Sequence, residues 1–275
     1  MILAGFLLLA VGAVDLVRQF VPRRWIGYLV TLIVLLVLGS VADALLPMIL
    51  AIAVGAAWVL AMPRDRDSRL GFWPAVVLAF IVALSVAWAG ARPDAGIIGL
   101  SWRMGSPFGP IPFDLVVLVI GVVAFLLESA NLVVRAALSG EHTWRPDDAG
   151  IAAEAGSAVE DAIAAEGDEG TDGTTSVDGA TGVEPVGIPR PTQRGGFKGG
   201  RLIGPLERVI VFMLTLTAAY PILAAMLAAK GIVRFPEISK DGETGARAEY
   251  FLVGSLVSWV IALGAAFLVW WGVHA

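Results

Sequence analysis

"FDLVVLVIGVVAFLLESANLVVRAAL" occupies residues 113–138 and indicates that this chain folds in a lipid bilayer. A helix needs about 20 predominantly apolar residues to cross the hydrocarbon core of a bilayer, and this stretch is long enough. Apart from Asp114, its polar residues fall in the second half, in the segment ESANLVVR. We therefore predict a transmembrane helix that carries a polar patch.

The whole chain has the composition of a membrane protein. Of its 275 residues, 57% are hydrophobic and 16% are charged, whereas a soluble domain carries roughly 25% charged residues. The sequence predicts an all-α integral membrane protein with about seven transmembrane helices. The other spans are expected at 2–17, 26–42, 45–62, 72–89, 206–229 and 250–273, with a very tight turn between the second and the third.

The chain divides into three regions. Residues 1–139 form a five-span membrane region, 140–200 a linker, and 201–275 a C-terminal module of two helices. Between 141 and 185 the linker holds twelve Asp and Glu against one Arg, and it turns basic toward its end. Such a polar segment cannot bury enough apolar area to offset its chain entropy. We predict a disordered linker, and its acidity suits the recruitment of a cytoplasmic protein partner.

The distribution of Lys and Arg predicts the orientation. Basic loops after the first, third and fifth spans place these loops and the linker in the cytoplasm of a bacterial plasma membrane. With seven alternating spans, the N-terminus is then outside and the C-terminus is cytoplasmic. One feature conflicts with this arrangement, because Lys230, Arg234, Lys240 and Arg247 would fall in an external loop.

Composition excludes several kinds of chemistry. The chain has no Cys and only two His, His142 in the linker and His274 near the C-terminus, so thiol chemistry and a His metal centre in the membrane are excluded. It has no phosphate-binding loop of the P-loop or dinucleotide type. We predict no catalytic residue, no metal, no cofactor and no nucleic-acid partner, and the sequence favours a protein that is not an enzyme.

The fifth span contains the first candidate binding residues. Glu128, Asn131 and Arg135 are spaced so that they share one helix face. A charge in hydrocarbon costs about 2.5–3.5 kcal/mol on insertion scales, and Arg135 can reach water near the helix end. Glu128 lies deeper and needs a partner. Two readings stay open, a carboxylate that coordinates a proton or an ion, and a buried structural pair with another helix.

The last two spans nominate the remaining candidates. Glu207 and Arg208 open the sixth span, where Glu207 complements the helix dipole. Lys230 and Arg234 lie one turn apart at its end, and Glu249 opens the seventh span. We predict that the last three form one charge cluster between the two spans. The cluster is either a set of helix-end ion pairs or a site for an anionic lipid headgroup or substrate.

Two further features concern packing. Pro221 is expected to kink the sixth span. A small residue recurs at every fourth position of the seventh span, at Gly254, Ser258, Ala262 and Ala266. Such a stripe lets another helix approach closely, and the sixth span is its expected partner.

About 75 residues at the C-terminus resemble a module of uncharacterised bacterial polytopic membrane proteins in domain-of-unknown-function families. The resemblance implies a two-helix module and no activity. The chain departs from it with Gly231, where serine is expected, and with a longer turn at 239–247. The matching residues are Gly204, Glu207, Arg208, Lys230, Arg234, Phe235, Ala248, Glu249, Tyr250 and Gly254.

Two functions are therefore expected in order of preference. The first is a small transporter or channel-like protein whose charged residues line a polar path. The alternative is a membrane scaffold or regulatory protein that recruits a cytoplasmic partner through its acidic linker. A lipid-modifying enzyme is disfavoured, because the sequence lacks an Asp-rich metal motif and has no histidine within the spans.

Overall fold

The computed structural model describes residues 1–62, 71–88, 96–106, 109–140, 200–238 and 246–274. The linker predicted at 140–200 therefore lies almost entirely outside the described residues. A π-helix at Phe125–Ser129 joins α6 to α7, and β1 (Gly105–Ser106) pairs with β2 (Gly109–Pro110). The helices are α1 (Ile2–Phe20), α2 (Arg24–Val41), α3 (Leu45–Ala61), α4 (Trp73–Trp88), α5 (Gly96–Ser101), α6 (Phe113–Ala124), α7 (Ala130–Gly140), α8 (Gly200–Leu216), α9 (Tyr220–Ile238) and α10 (Ala246–His274).

The helices have the lengths and hydropathy of a membrane protein, which confirms the predicted all-α class. Seven spans are not confirmed, because only some of the described helices are both long and apolar enough to cross a membrane. Four segments meet both conditions, namely Ile2–Phe20, Arg24–Val41, Phe113–Leu138 and Phe251–His274. Three shorter apolar helices are Leu45–Ala61, Trp73–Trp88 and Tyr220–Val233.

Helix α1 lies at the centre of the bundle, and α6 packs closely against it. A Cβ on Gly12 would lie 2.6 Å from the carbonyl carbon of Ala124, and one on Gly121 would lie 2.5 Å from the carbonyl oxygen of Gly5. Only glycine fits at such contacts, and small residues are what lets membrane helices approach this closely. Residue numbers rise together along the contact, so α1 and α6 run parallel.

Helix α10 runs antiparallel to α6 and α7. A Cβ on Gly254 would lie 3.6 Å from Leu138, in the last turns of α7, whereas one on Gly272 would lie 3.2 Å from Leu118 and 3.7 Å from Met1. The two ends of the chain therefore lie at one end of the bundle, the terminal end. This corrects the prediction that the termini lie on opposite sides, which assumed seven alternating spans.

The sixth predicted span, 206–229, is not a single helix. Helix α8 ends at Leu216, Ala218 has a positive φ of 54°, and α9 begins at Tyr220. Pro221 lacks an N–H and suits the first turn of a helix, which is its position in α9. The chain reverses where only a kink was predicted, and α8 and α9 form an antiparallel hairpin.

Both open ends of the α8–α9 hairpin lie opposite the terminal end. The end of the bundle at which they lie also contains the last turns of α1 and α7, and we call it the basic end.

At the hairpin's turn, the Thr217 hydroxyl donates to the Met213 carbonyl at 2.9 Å, and the backbone N–H of Ala219 donates to the Leu214 carbonyl at 2.9 Å. These bonds satisfy backbone groups that the break would otherwise leave unpaired.

The terminal end contains the α2–α3 turn and α5. As predicted, the turn between α2 and α3 is very tight, and Asp43 has a positive φ of 49° there. Helix α5 packs on this turn, since a Cβ on Gly96 would lie only 2.7 Å from the Val41 carbonyl oxygen. The Trp102 indole N–H donates to the Ile111 carbonyl at 2.9 Å and holds the described part of the 90–112 loop.

Candidate functional site

Asp15 is a carboxylate buried inside the first span, only 1% exposed. The indole N–H of Trp58 and the hydroxyl of Ser129 both donate to its Oδ2, at 2.9 and 2.7 Å. Arg18 Nη1 lies 3.3 Å from Oδ1 and also donates to the Met62 carbonyl at 3.1 Å. Helices α1 and α3 and the π-helix thus converge on one carboxylate.

Asp15 was not among the predicted site residues, although two features of the sequence mark it. It lies within the predicted first span, and an ionisable residue in a span is by default a functional-site hypothesis. Arg18 follows three residues later, on the same helix face. The partners Trp58 and Ser129 had no such signal, since they come from distant parts of the chain.

The π-helix Phe125–Ser129 links Asp15 to a second cluster. Its wider register appears in the N–H of Ala130, which bonds to the carbonyl of Phe125. The carbonyl of Leu126 accepts a hydrogen bond from Arg208 Nε at 3.1 Å, while Ser129 bonds to Asp15. π-Helices are rare, and many lie at functional sites. Five residues of one helix therefore contact two polar clusters on opposite sides.

Arg208 forms the second cluster, and its side chain is buried, at 3% exposure. Besides Leu126, its guanidinium donates to the Ser258 hydroxyl at 3.4 Å and to the side-chain carbonyl of Asn131. Asn131 in turn donates to the Glu128 carboxylate at 3.3 Å. Asn131 therefore bridges a buried cation and a buried carboxylate, and α8, α10 and the α6–α7 helix meet at this point.

Glu207 and Lys230 form an ion pair next to Arg208. The Lys230 ammonium lies 2.7 Å from both carboxylate oxygens of Glu207, and the Trp259 indole donates to Glu207 at 3.1 Å. The same ammonium lies 5.4 Å from the centroid of the Trp259 ring and 5.8 Å from that of Phe251, a cation–π arrangement. This pair joins the middle of α8 to the middle of α9.

The structure brings together four of the seven residues proposed from the sequence. Glu128 and Arg208 share one cluster, and Glu207 and Lys230 adjoin it. The carboxylate that Lys230 contacts is that of Glu207 and not the expected Glu249, because the hairpin places the start of α8 beside the end of α9.

The other three candidates are Arg135, Glu249 and Arg234. Arg135 is exposed on α7, and Glu249 is exposed near the start of α10. The Arg234 side chain lies outside the described residues. The small-residue stripe of the last helix packs only partly as expected, since Gly254 faces α7 whereas Ser258 and Ala262 face α8 and α9.

All these contacts lie at similar depth, and together they form what we call the polar layer. Counting 1.5 Å per residue, it lies roughly 8 Å inside the end of α1 and about 12 Å inside Phe251 on α10. Among the described residues, no buried side-chain nitrogen or oxygen lacks a hydrogen-bond partner and no group of residues could hold a metal ion. The members are Asp15, Arg18, Trp58, Glu128, Ser129, Asn131, Glu207, Arg208, Lys230, Ser258 and Trp259.

The polar layer contains three residues of the C-terminal resemblance, Glu207, Arg208 and Lys230, and joins them to residues of the first five helices. No protein-family model, no curated protein and no solved structure matches this chain. The resemblance to uncharacterised membrane proteins therefore stays a prediction.

Proposed function

We propose that this chain is a multi-pass transporter of the bacterial plasma membrane that carries a proton on Asp15. The observation that carries the proposal is the near-complete burial of this carboxylate within a membrane-length helix, where an ionisable residue is costly and is by default a functional-site hypothesis. Buried polar groups are often replaceable by apolar ones without loss of stability. Retaining a carboxylate here suits a role beyond packing.

The contacts of Asp15 suit reversible protonation. Oδ2 already accepts two neutral donors, so Oδ1, beside Arg18, is the place for a proton. Protonation would weaken the ion pair with Arg18, which retains the Met62 carbonyl as a hydrogen-bond partner. The charge change would thus act on the junction of α1 and α3.

A route across the membrane requires one element to move, and the α8–α9 hairpin is the best candidate. Discontinuous helices are a recurring feature of transporter binding sites. The hairpin is held in the polar layer by Arg208 and by the Glu207–Lys230 pair, whose side chains are 15% and 24% exposed. We infer that rearrangement of these bonds alternates access to the layer.

The orientation that supports this function has the basic end in the cytoplasm. Outside 144–200, every Lys and Arg except Arg92 and Arg103 belongs by sequence to a helix end or loop at the basic end. This bias is what the positive-inside rule requires. The cations near Lys230 then face the cytoplasm, where they attract anionic headgroups, and both termini are external.

Single cysteines test the orientation, since the chain has none of its own. Intact cells that express Ala275→Cys or Ser157→Cys would be treated with a membrane-impermeant thiol reagent. We expect labelling of position 275 in intact cells and of position 157 only after permeabilisation. Protection of position 275 in intact cells would contradict an external C-terminus.

Proton flux tests the function directly. Purified full-length chain in liposomes with an imposed pH gradient should dissipate the gradient faster than protein-free vesicles, and Asp15→Asn should abolish the difference. Ser85→Ala is the matched control, because Ser85 is buried but its hydroxyl donates only to the Val82 carbonyl of its own helix, at 2.8 Å. Wild-type flux equal to that of empty vesicles would refute transport. Unchanged flux after deletion of 145–190, with loss of the cellular phenotype, would point to the scaffold function.

A further inference from the structure

A lateral groove of about 570 Å³ lies between α4 and α10. Its floor reaches the centre of the bundle, with Leu8 of α1 and Phe125 of the π-helix. Its walls include Ala79 on α4 and Gly264 on α10. The side chains that line it are almost all hydrocarbon, and the groove takes no part in the polar layer.

The groove is open toward the surrounding membrane. Leu256 and Val260 at its rim are 62% and 61% exposed, and a Cβ on Gly264 would meet no atom within 4 Å. Water does not suit this space, because an ordered water needs two to four polar partners. An empty groove would forfeit the dispersion contacts of its lining.

The length of the groove suits an acyl chain. From Leu256 to Trp271 it follows α10 for fifteen residues, which is about 22 Å at 1.5 Å per residue. Each leaflet contributes about 15 Å of the hydrocarbon core, so the groove is long enough for one acyl chain to lie in it over the full depth of a leaflet. Phe72, just before the start of α4, lines one end of the groove and stacks on Trp73 with ring centroids 5.7 Å apart. Aromatic residues are enriched at membrane interfaces.

We propose that this groove binds one acyl chain of a phospholipid, inserted between α4 and α10. The bound acyl chain contacts Phe125, the first residue of the π-helix. The ring of Phe125 also lies 6.2 Å from that of Trp58. The bound lipid therefore supports the helix that links Asp15 to Arg208. This role distinguishes it from the lipids that merely surround the protein.

Filling the groove tests the proposal. Gly264→Phe places a side chain in the open space, and Gly231→Phe is the matched control, because Gly231 is also helical with no atom within 4 Å of a Cβ. The full-length variants would be delipidated in mild detergent and titrated with palmitoyl-oleoyl phosphatidylglycerol, and bound lipid would be counted by native mass spectrometry. We expect wild type and Gly231→Phe to retain one phospholipid and Gly264→Phe to lose it.

Thermal unfolding provides a second readout. Added phosphatidylglycerol should raise the Tm of wild type and of Gly231→Phe, whereas Gly264→Phe should have a higher Tm without lipid and respond little to it. Equal lipid retention by both variants would overturn the proposal. So would a wild type that retains no phospholipid, or one whose bound mass is that of a polyisoprenoid.

Discussion

Replacing Arg208 by methionine should destabilise the bundle more than any change at an exposed cation. The guanidinium is 3% exposed and donates to Leu126, Asn131 and Ser258. Methionine fills much of the volume but donates nothing. Each buried acceptor left without a partner costs about 1–3 kcal/mol, and Glu128 loses the nearby positive charge. Removing one member of a buried ionic group costs about 3–5 kcal/mol, which is the loss we expect.

Two further variants separate the charge from the geometry. Arg208→Lys keeps the charge but not the planar guanidinium that donates to three acceptors. Its free energy of unfolding should therefore lie between those of wild type and Arg208→Met. Adding Glu128→Gln to Arg208→Met removes the carboxylate that Asn131 connects to the guanidinium, and it should restore at least about 1 kcal/mol as a coupling energy. Arg135→Met, on the exposed face of α7, should stay within about 0.5 kcal/mol of wild type.

The free energy of unfolding would be measured in bicelles by denaturant titration, with the secondary structure of each variant checked beforehand. The reasoning is refuted if Arg208→Met lies within about 0.5 kcal/mol of Arg135→Met. It is also refuted if Glu128→Gln gives no rescue, since Asn131 would then not be bridging the two charges.

Three other outcomes are expected. With 5-fluorotryptophan, the 19F signal of Trp58 should shift in Arg208→Lys, because the π-helix connects the two clusters, and should not shift in Glu207→Gln; no shift in either would exclude coupling through this helix. Lys230→Met alone should destabilise by more than Lys230→Met combined with Glu207→Gln, as measured by unfolding, and strict additivity would contradict the ion pair. Gly12→Leu should abolish the monodisperse peak in size-exclusion chromatography, because the leucine side chain would clash with the α6 backbone. A normal elution profile would contradict the α1–α6 contact.

The sequence predicted well those features that are encoded locally. The turn at Asp43 follows from short apolar runs separated by small and polar residues, and the burial of Glu128 follows from its depth in an apolar stretch. The partners of these residues were harder to predict. Ser129 lies beside Asp15 only because Gly12 and Gly121 let α1 and α6 touch, and nothing in the sequence specifies that pairing of distant segments.

The hairpin shows where hydropathy leaves the topology open. Glu207 and Lys230 are 23 residues apart, and a straight helix would separate them by about 35 Å, close to the thickness of the hydrocarbon core. By hydropathy alone, the apolar residues between them therefore suit a single span as well as they suit a hairpin. The left-handed conformation of Ala218, followed by Pro221, instead folds this stretch back on itself.

In the proposed orientation, charge favours the folded-back form. As a single span, the stretch would leave Lys230 and its neighbouring cations on the external side, against the positive-inside bias, and Glu207 without its cation. In the hairpin the ammonium lies 2.7 Å from the carboxylate, and both basic helix ends lie on one side. In the orientation proposed above, an even number of crossings accounts for these cations, and it predicts an external C-terminus.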